Sequence, residues 1–255
     1  ITDEAIVRQA IEGIDYVFHL AALVSVPESM EKMSECVAIN INGLLNVLHA
    51  ARAAGVRKLV FASSAAVYGD NPAMPKVELM IPEPRSPYAI TKLDGEYYCE
   101  LFAREGWLST ACLRFFNVFG PRQDPQGAYA AAVPIFIEKA LKGEPLRVFG
   151  DGEQTRDFIF VEDIVSALEF CAFTKGHTGV CNCGYGKGMS LNDLIGKILA
   201  VTGSRSQVQH GEPRPGDIKH SLASVQKLQA AGWKAEFGFD TGLSNTLAAF
   251  RKASG

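Results

Sequence analysis

The feature that most constrains this chain is an alternation in its first half. Short, continuous apolar runs are separated by helix-length amphipathic stretches. Asp15–Leu20, Lys58–Ala62 and Thr110–Arg114 are runs of strand length without the in/out alternation of a half-exposed strand, which is the pattern of strands buried on both faces. Between the first two, Ile41, Leu44, Leu45, Leu48 and Ala51 recur at helical spacing, and Gly55 fits a C-terminal cap. Between the second and third lies a proline-rich loop, Tyr68–Ser86. Ser86-Pro87 then opens another helix, with serine as N-cap and proline at the first helical position. Gly106 is its expected stop. Strand–helix–strand units of this kind predict an α/β fold, a doubly wound parallel sheet covered by helices.

After Gly120 the rhythm changes. A helix (Ala132–Lys142), two short strands (Leu146–Phe149 and Asp157–Phe160), a helix (Glu162–Ala172), a strand (Gly179–Cys183) and a helix capped by Ser190 follow in quick order, then short helices near Ser224–Ala231 and Thr241–Lys252. The expected division is a sheet domain over 1–120 and a smaller α+β lobe over 121–255, interleaved with the last sheet strands. The 255 residues are 47% hydrophobic with a net charge of −3, which excludes a disordered chain and leaves no overall basic surface for nucleic acid. No apolar run reaches the ~18 residues of a membrane helix, so no membrane partner is expected. The six cysteines, Cys36, Cys99, Cys112, Cys171, Cys181 and Cys183, lack the paired spacing of a zinc site. They read as buried small hydrophobes in a reducing cytoplasm, with no metal. His19, inside a strand, reads as a satisfied core histidine. Gly184-Tyr-Gly-Lys-Gly188 lacks phosphate-loop spacing and reads as a strand-to-helix turn.

Tyr88 and Lys92 are four apart at the start of a helix and so share a face. The pair gains meaning from its company. Ser63-Ser64 ends the preceding strand, at the carboxyl edge where open α/β sheets place ligands. A free tyrosine titrates near pH ~10, and lowering it by about three units requires about 4 kcal/mol. One ammonium at ~4 Å and an effective dielectric of ~20 supplies about that much. With Ser64 orienting the hydroxyl, the trio suits removal of a proton from a substrate hydroxyl whose carbon loses hydride.

These segments are ordered along the chain as in a known family. Asp15-Tyr-Val-Phe-His-Leu-Ala-Ala22, Asn40-Ile-Asn-Gly43, Phe61-Ala-Ser-Ser-Ala-Ala-Val-Tyr-Gly69 and Ser86-Pro-Tyr-Ala-Ile-Thr-Lys92 are followed by Leu113-Arg-Phe-Phe-Asn-Val-Phe-Gly120, Arg156-Asp-Phe-Ile-Phe-Val161 and Arg214-Pro-Gly-Asp217. From about Asp15 onward the chain resembles the extended short-chain dehydrogenase/reductase family, and within it the nucleotide-sugar 4-epimerases. The resemblance implies a Rossmann-like domain holding NAD, a UDP-sugar substrate and a homodimer through the helices near Ile39–Ala54 and Tyr88–Arg104. It implies Ser64, Tyr88 and Lys92 as the catalytic trio. Leu20, Ala21, Ala22, Asn40, Ser63 and Phe115 match cofactor-side positions, together with Tyr88 and Lys92. Asn117, Arg156 and Arg214 match residues that hold the substrate diphosphate, Phe149 a uracil-packing position and Asp217 a ribose neighbour. Gln123, Ala131, Ser221 and Ser64 match further substrate-side positions.

Within that family, dehydratases and decarboxylases place an acid just after the active-site serine or threonine. Here Ala65 and Ala66 stand there, which favours epimerisation over elimination. A non-catalytic relative that kept the fold is the third reading. Gly127-Ala-Tyr-Ala-Ala131 and Ser221 resemble enzymes that take N-acetylhexosamine nucleotides, whereas Val24 departs from both sugar branches, so use of UDP-glucose and of UDP-N-acetylglucosamine are both expected. The family's opening unit (strand, glycine-rich turn, helix) has no counterpart here, and the expectation is that this N-terminal βαβ unit, about fifty residues, is missing from the sequence given.

Overall fold

The computed structural model describes residues 1–126, 131–174, 179–213 and 219–253. The first half runs α1 (Glu4–Ile11), β1 (Tyr16–His19), α2 (Val26–Glu31), α3 (Met33–Val37), a π-helical turn (Ala38–Asn42), α4 (Gly43–Ala53), β2 (Lys58–Ser64), a 3-10 turn (Ala65–Tyr68), α5 (Pro87–Arg104) and β3 (Ser109–Phe115). The second runs β4 (Asn117–Phe119), α6 (Ala132–Lys142), β5 (Leu146–Phe149), β6 (Thr155–Arg156), β7 (Phe158–Phe160), α7 (Val161–Phe173), β8 (Gly179–Cys183), β9 (Met189–Ser190), α8 (Leu191–Thr202), β10 (Val208–Gly211), α9 (Gln226–Ala230) and α10 (Gly238–Ala253). The three strands expected in the first half all form. The strand expected over Asp157–Phe160 forms over Phe158–Phe160, as β7.

The main sheet is parallel, in the order β1-β2-β3-β8. Alternate residues of β2 supply both of its faces. Leu59 and Phe61 pack with Leu44, Leu48 and Phe102 from α4 and α5, while Val60 packs with Ile164, Leu168 and Trp233 on the α7–α9 side. This is the doubly wound, Rossmann-like arrangement the sequence predicts. A smaller lobe has its own core of Phe119, Phe136, Ile137, Leu146, Phe158 and Leu194, closed by Leu243 of α10. Two short parallel pairs, β4–β7 and β5–β10, and the antiparallel β6–β9 pair build it.

The expected caps form. Ser86 Oγ accepts from the Ala89 amide at 3.2 Å, and Ser190 Oγ from the Asp193 amide at 3.0 Å. Gly95 lets α5 ride directly on β2, because a Cβ there would lie 2.5 Å from Phe61 Cζ. All six cysteines are buried and none is in a disulfide, and burial raises the titration of Cys171 to about 12 and of Cys181 to about 11. Among the described residues no helix is long and apolar enough to cross a membrane. The turn at 184–188 is not a phosphate cradle. Its Tyr185 and Gly186 amides donate to the buried Asp157 carboxylate at 2.8 and 2.9 Å.

Candidate active site

The carboxyl ends of β1, β2 and β3 carry the candidate chemistry. Ser64 is the last residue of β2, and in register it stands opposite Phe115, the last residue of β3. The helix that follows the proline-rich loop is started by two serines. Ser86 caps it, and the fully buried Ser29 of α2 accepts from the Tyr88 amide at 3.2 Å. Tyr88 therefore sits in the first turn of α5, with its phenol near enough to Ser64 for that hydroxyl to favour the ionised form. Ser64 Oγ also accepts from the Ala66 amide at 3.1 Å, which starts the 3-10 turn.

Lys92 lies one helical turn on from Tyr88. It is 3% exposed, and its Nζ donates to the Ala62 carbonyl at 2.7 Å. It lies 4.9 Å from the Phe61 ring centroid and 5.7 Å from that of Tyr88. The sequence argument places an ammonium about 4 Å from the phenol to hold it ionised. The structure corrects this. The ammonium is turned to a backbone carbonyl, and burial pushes the Tyr88 phenol above its ordinary range, with the Ser64 hydroxyl opposing. The phenol is thus neutral in this state. Burial also lowers Lys92, to about 8.

That value gives an expected result. The folded chain binds fewer protons than the unfolded one between about pH 8 and 10.5, so the buried ammonium destabilises the fold fully below pH 8. The penalty disappears as pH rises to 10.5. A shift of this size corresponds to about 3 kcal/mol, less about 1 for the hydrogen bond to Ala62. Lys92→Met is therefore expected to be about 2 kcal/mol more stable than the parent near pH 7, and no more stable near pH 10.5. Urea unfolding at the two pH values measures this, and a variant less stable than the parent near pH 7 would show that burial of the ammonium is not the dominant effect.

Leu20 and Ala21, at the open end of β1, are exposed, and Lys92 is close enough to His19 to act on its imidazole. An apolar shelf, a phenol, a hydroxyl and an ammonium thus meet at one edge of a parallel sheet. That set of residues fits the nicotinamide–ribose end of a dinucleotide: Leu20 and Ala21 would pack on it, and Tyr88 and Lys92 would hold its polar groups. His19 itself is not the satisfied core histidine expected. It is buried and stacked on Phe61 at 5.9 Å, but its Nε2 has no hydrogen-bond partner. Burial, then the Lys92 charge, lowers its pKa to about 4.

Other matched residues fall into two groups. Asn117, Ala131, Phe149 and Arg156 line one cavity of about 570 Å³, joined by Phe136, Lys139, Arg147, Gln154 and Phe158, which the sequence reading does not single out. Arg156 Nη1 donates to the Thr155 and Lys219 carbonyls at 2.9 and 3.4 Å, and Asn117 Nδ2 to the Asp157 carbonyl at 3.3 Å. The second group faces inward. Asn40 holds the segment after β1: its Oδ1 accepts from the Leu23 amide at 2.7 Å, and its Nδ2 donates to the Leu23 carbonyl and Thr91 Oγ1. Ser63 is buried and donates to Glu96. Gln123 holds its own loop, donating to the Val118 carbonyl at 3.0 Å and accepting from the Gly120 amide. Ser221 is half-buried, and its amide donates to the Thr155 carbonyl at 3.0 Å. Asn40, Ser63 and Gln123 therefore support the site's framework through these side-chain bonds. Ala22 and Phe115 are half-buried beside it. Arg214 and Asp217 lie outside the described residues.

Two residues of consequence are absent from the sequence reading. Ser29 gives no local signal, being 59 positions from Tyr88. Glu96 continues the Tyr88–Lys92 face by one more turn, and that spacing alone marks it.

Comparison with known proteins agrees with this geometry. The model of the NAD dependent epimerase/dehydratase family matches residues 1–184. A putative UDP-glucose 4-epimerase of Methanocaldococcus jannaschii is 36% identical over 237 residues, covering 92% of this chain and 77% of that protein. A UDP-N-acetyl-alpha-D-glucosaminuronate decarboxylase of Bacillus cytotoxicus is 35% identical over 218 residues, covering 82% and 66%. Among solved structures, the UDP-N-acetylglucosamine 4-epimerase from Methanobrevibacter ruminantium M1, in complex with UDP-N-acetylmuramic acid, superposes with a TM-score of 0.94 at 40% identity, covering 99% of this chain and 83% of that one. With the parallel sheet, the Ser64–Tyr88–Lys92 constellation and these matches together, the chain belongs to the NAD dependent epimerase/dehydratase family of enzymes.

Proposed function

We propose that the protein interconverts the C4 epimers of UDP-hexoses, with both plain and N-acetylated sugars as substrates. The observation that carries this reading is the Tyr88 phenol beside Ser64 with Lys92 one turn away, on a family that is NAD dependent. Bound NAD supplies a reversible hydride acceptor. The chain's own part is proton transfer and orientation. Tyr88 takes the proton of the C4 hydroxyl as that carbon is oxidised and returns it when the 4-keto sugar is reduced on its other face. Ser64 holds the hydroxyl in line. Lys92, about ten to one protonated at pH 7 for a pKa of about 8, is turned to the Ala62 carbonyl in the free chain, and the phenol, neutral there, would ionise for this step once that charge and a nicotinium lie beside it. Asn117 and Arg156 hold the diphosphate, a task suited to a forked guanidinium, with Arg214 proposed alongside and Asp217 near the ribose. Phe149 packs on the base.

A second reading, elimination or decarboxylation, is favoured by the decarboxylase relative. Ala65 and Ala66 oppose it, since the turn after Ser64 offers no carboxylate to move a proton. Parallel incubations with NAD and either UDP-glucose or UDP-N-acetylglucosamine, resolved by anion exchange, separate the cases. Both C4 epimers are expected from each sugar. Neither sugar being epimerised would overturn the proposal, and a dehydrated or decarboxylated product from a UDP-hexose or its uronic acid would favour the second reading.

A further inference from the structure

Beneath Ser64 lies a buried ion pair that the reaction does not use. Arg114 Nε and Nη2 donate to the two Glu96 oxygens at 2.9 and 2.7 Å, with both side chains under 5% exposed. Ser63 donates its hydroxyl to the same carboxylate. The Arg114 guanidinium lies 4.8 Å from the Tyr68 ring centroid, and the Tyr68 hydroxyl donates to Asn182 Oδ1 at 2.6 Å.

As a stabiliser this pair has little to recommend it. Desolvation of two charges offsets most of their attraction, and apolar residues of the same volume serve about as well. A bidentate pair differs from apolar contact in direction, because the planar fork fixes where the carboxylate sits. That direction matters here. Tyr88, Lys92 and Glu96 recur every fourth residue along one face of α5. Each lies against the end of β2: Lys92 donates to the Ala62 carbonyl, Glu96 accepts from the Ser63 hydroxyl, and Tyr88 lies near enough to Ser64 for its hydroxyl to act on the phenol. Ser63 and Arg114 are register partners in β2 and β3, so both reach Glu96 from adjacent strands on one side of the sheet. Ser63 is covalently next to Ser64, and a displacement of one carries the other. Tyr68 bounds the turn on Ser64's other side.

We propose that Glu96, held by Arg114 and bonded to Ser63, is a positioning residue for the reaction: it sets the register of α5 against the end of β2 that brings Ser64 to Tyr88. The catalytic meaning rests on the epimerase reading, but the register itself does not. The test therefore has two arms. In protein carrying 13Cζ-labelled tyrosine, the Tyr88 resonance is identified by its loss in Tyr88→Phe. Glu96→Gln and Ser63→Ala are expected to move it beyond the scatter of Tyr16, Tyr97 and Tyr98. Ile198→Ala, buried in the smaller lobe's core, is expected to lower stability and leave it in place. In the kinetic arm, Glu96→Gln is expected to lower kcat by about 10- to 100-fold, as an ångström-scale misplacement does, with KM for the UDP-sugar changed less than about twofold. Ser63→Ala keeps the ion pair and remains a test should Glu96→Gln fold poorly. A Tyr88 resonance unmoved in folded Ser63→Ala, or a kcat loss matched by Ile198→Ala, overturns the proposal. An inactive parent would overturn the epimerase reading, and the resonance arm would still decide this one.

Discussion

Tyr88→Phe is expected to reduce kcat by about 10³-fold, within the 10²- to 10⁴-fold range of a lost general base, while changing unfolding free energy by less than about 1 kcal/mol. The asymmetry follows from the surroundings of the phenol. Its hydroxyl has the Ser64 hydroxyl as a side-chain neighbour, a full hydrogen bond between the two would be worth about 1 kcal/mol net, and the ring remains to fill its space. In the reaction the same oxygen is the group that takes the C4 proton. Rates measured with UDP-sugar and NAD, beside a thermal melt of the same preparation, check both halves. A variant retaining more than a tenth of the parental kcat would remove Tyr88 from the role of base and leave Lys92 or Ser64 to supply it.

The largest effect on stability is expected far from this chemistry, at Asp163. This fully buried residue in the first turn of α7 accepts from the Glu236, Phe237 and Gly238 amides at 2.7, 3.2 and 3.2 Å and from the Tyr185 hydroxyl. It thereby fastens the segment that leads into α10. Asp163→Ala leaves four part-buried donors without this acceptor, each costing about 1–3 kcal/mol if dry and less where water reaches it. We expect a loss of about 5 kcal/mol, a large share of the 5–15 kcal/mol typical of a folded protein. For a chain of this length that lowers Tm by about 10–20 °C. The Asp163→Asn variant keeps one acceptor oxygen and is expected to fall between. Scanning calorimetry of the three proteins measures the order, and a Tm within about 3 °C of the parent for Asp163→Ala would show that α10 is held by its apolar contacts alone.

The helix anchored in this way is not remote from function. α10 contributes Leu243 to the core of the smaller lobe, and Gly242 sits so close to Phe160 that a Cβ would lie 2.5 Å from its ring. Phe158, two residues earlier on β7, lines the cavity that holds Asn117 and Arg156. Loosening α10 therefore loosens the wall of the proposed nucleotide pocket, and the destabilised variants are expected to lose substrate affinity before they lose proton transfer.

What the sequence determined by itself was everything whose cause is local or periodic. The both-face burial of β2 and β3 is written in consecutive apolar residues. The starts of α5 and α8 are written in Ser86 and Ser190, whose side chains bond amides three residues on. The Tyr88–Lys92 face follows from helical spacing, and Ser64 from its place at a strand end. What only the tertiary structure decided was the partner of each buried polar group. Glu96 and Arg114, 18 residues apart, and Asp163 and Glu236, 73 apart, meet because strands and helices stack, and no short-range pattern encodes that meeting. For the same reason Asn40 and Gln123 turned out to hold backbone, His19 Nε2 was left without a partner, and Lys92 pointed at Ala62 rather than at the phenol. Apolar burial is non-directional and is recorded in composition and period. A hydrogen bond requires two named atoms within about 3 Å, and the positions of those atoms exist only once the chain has folded.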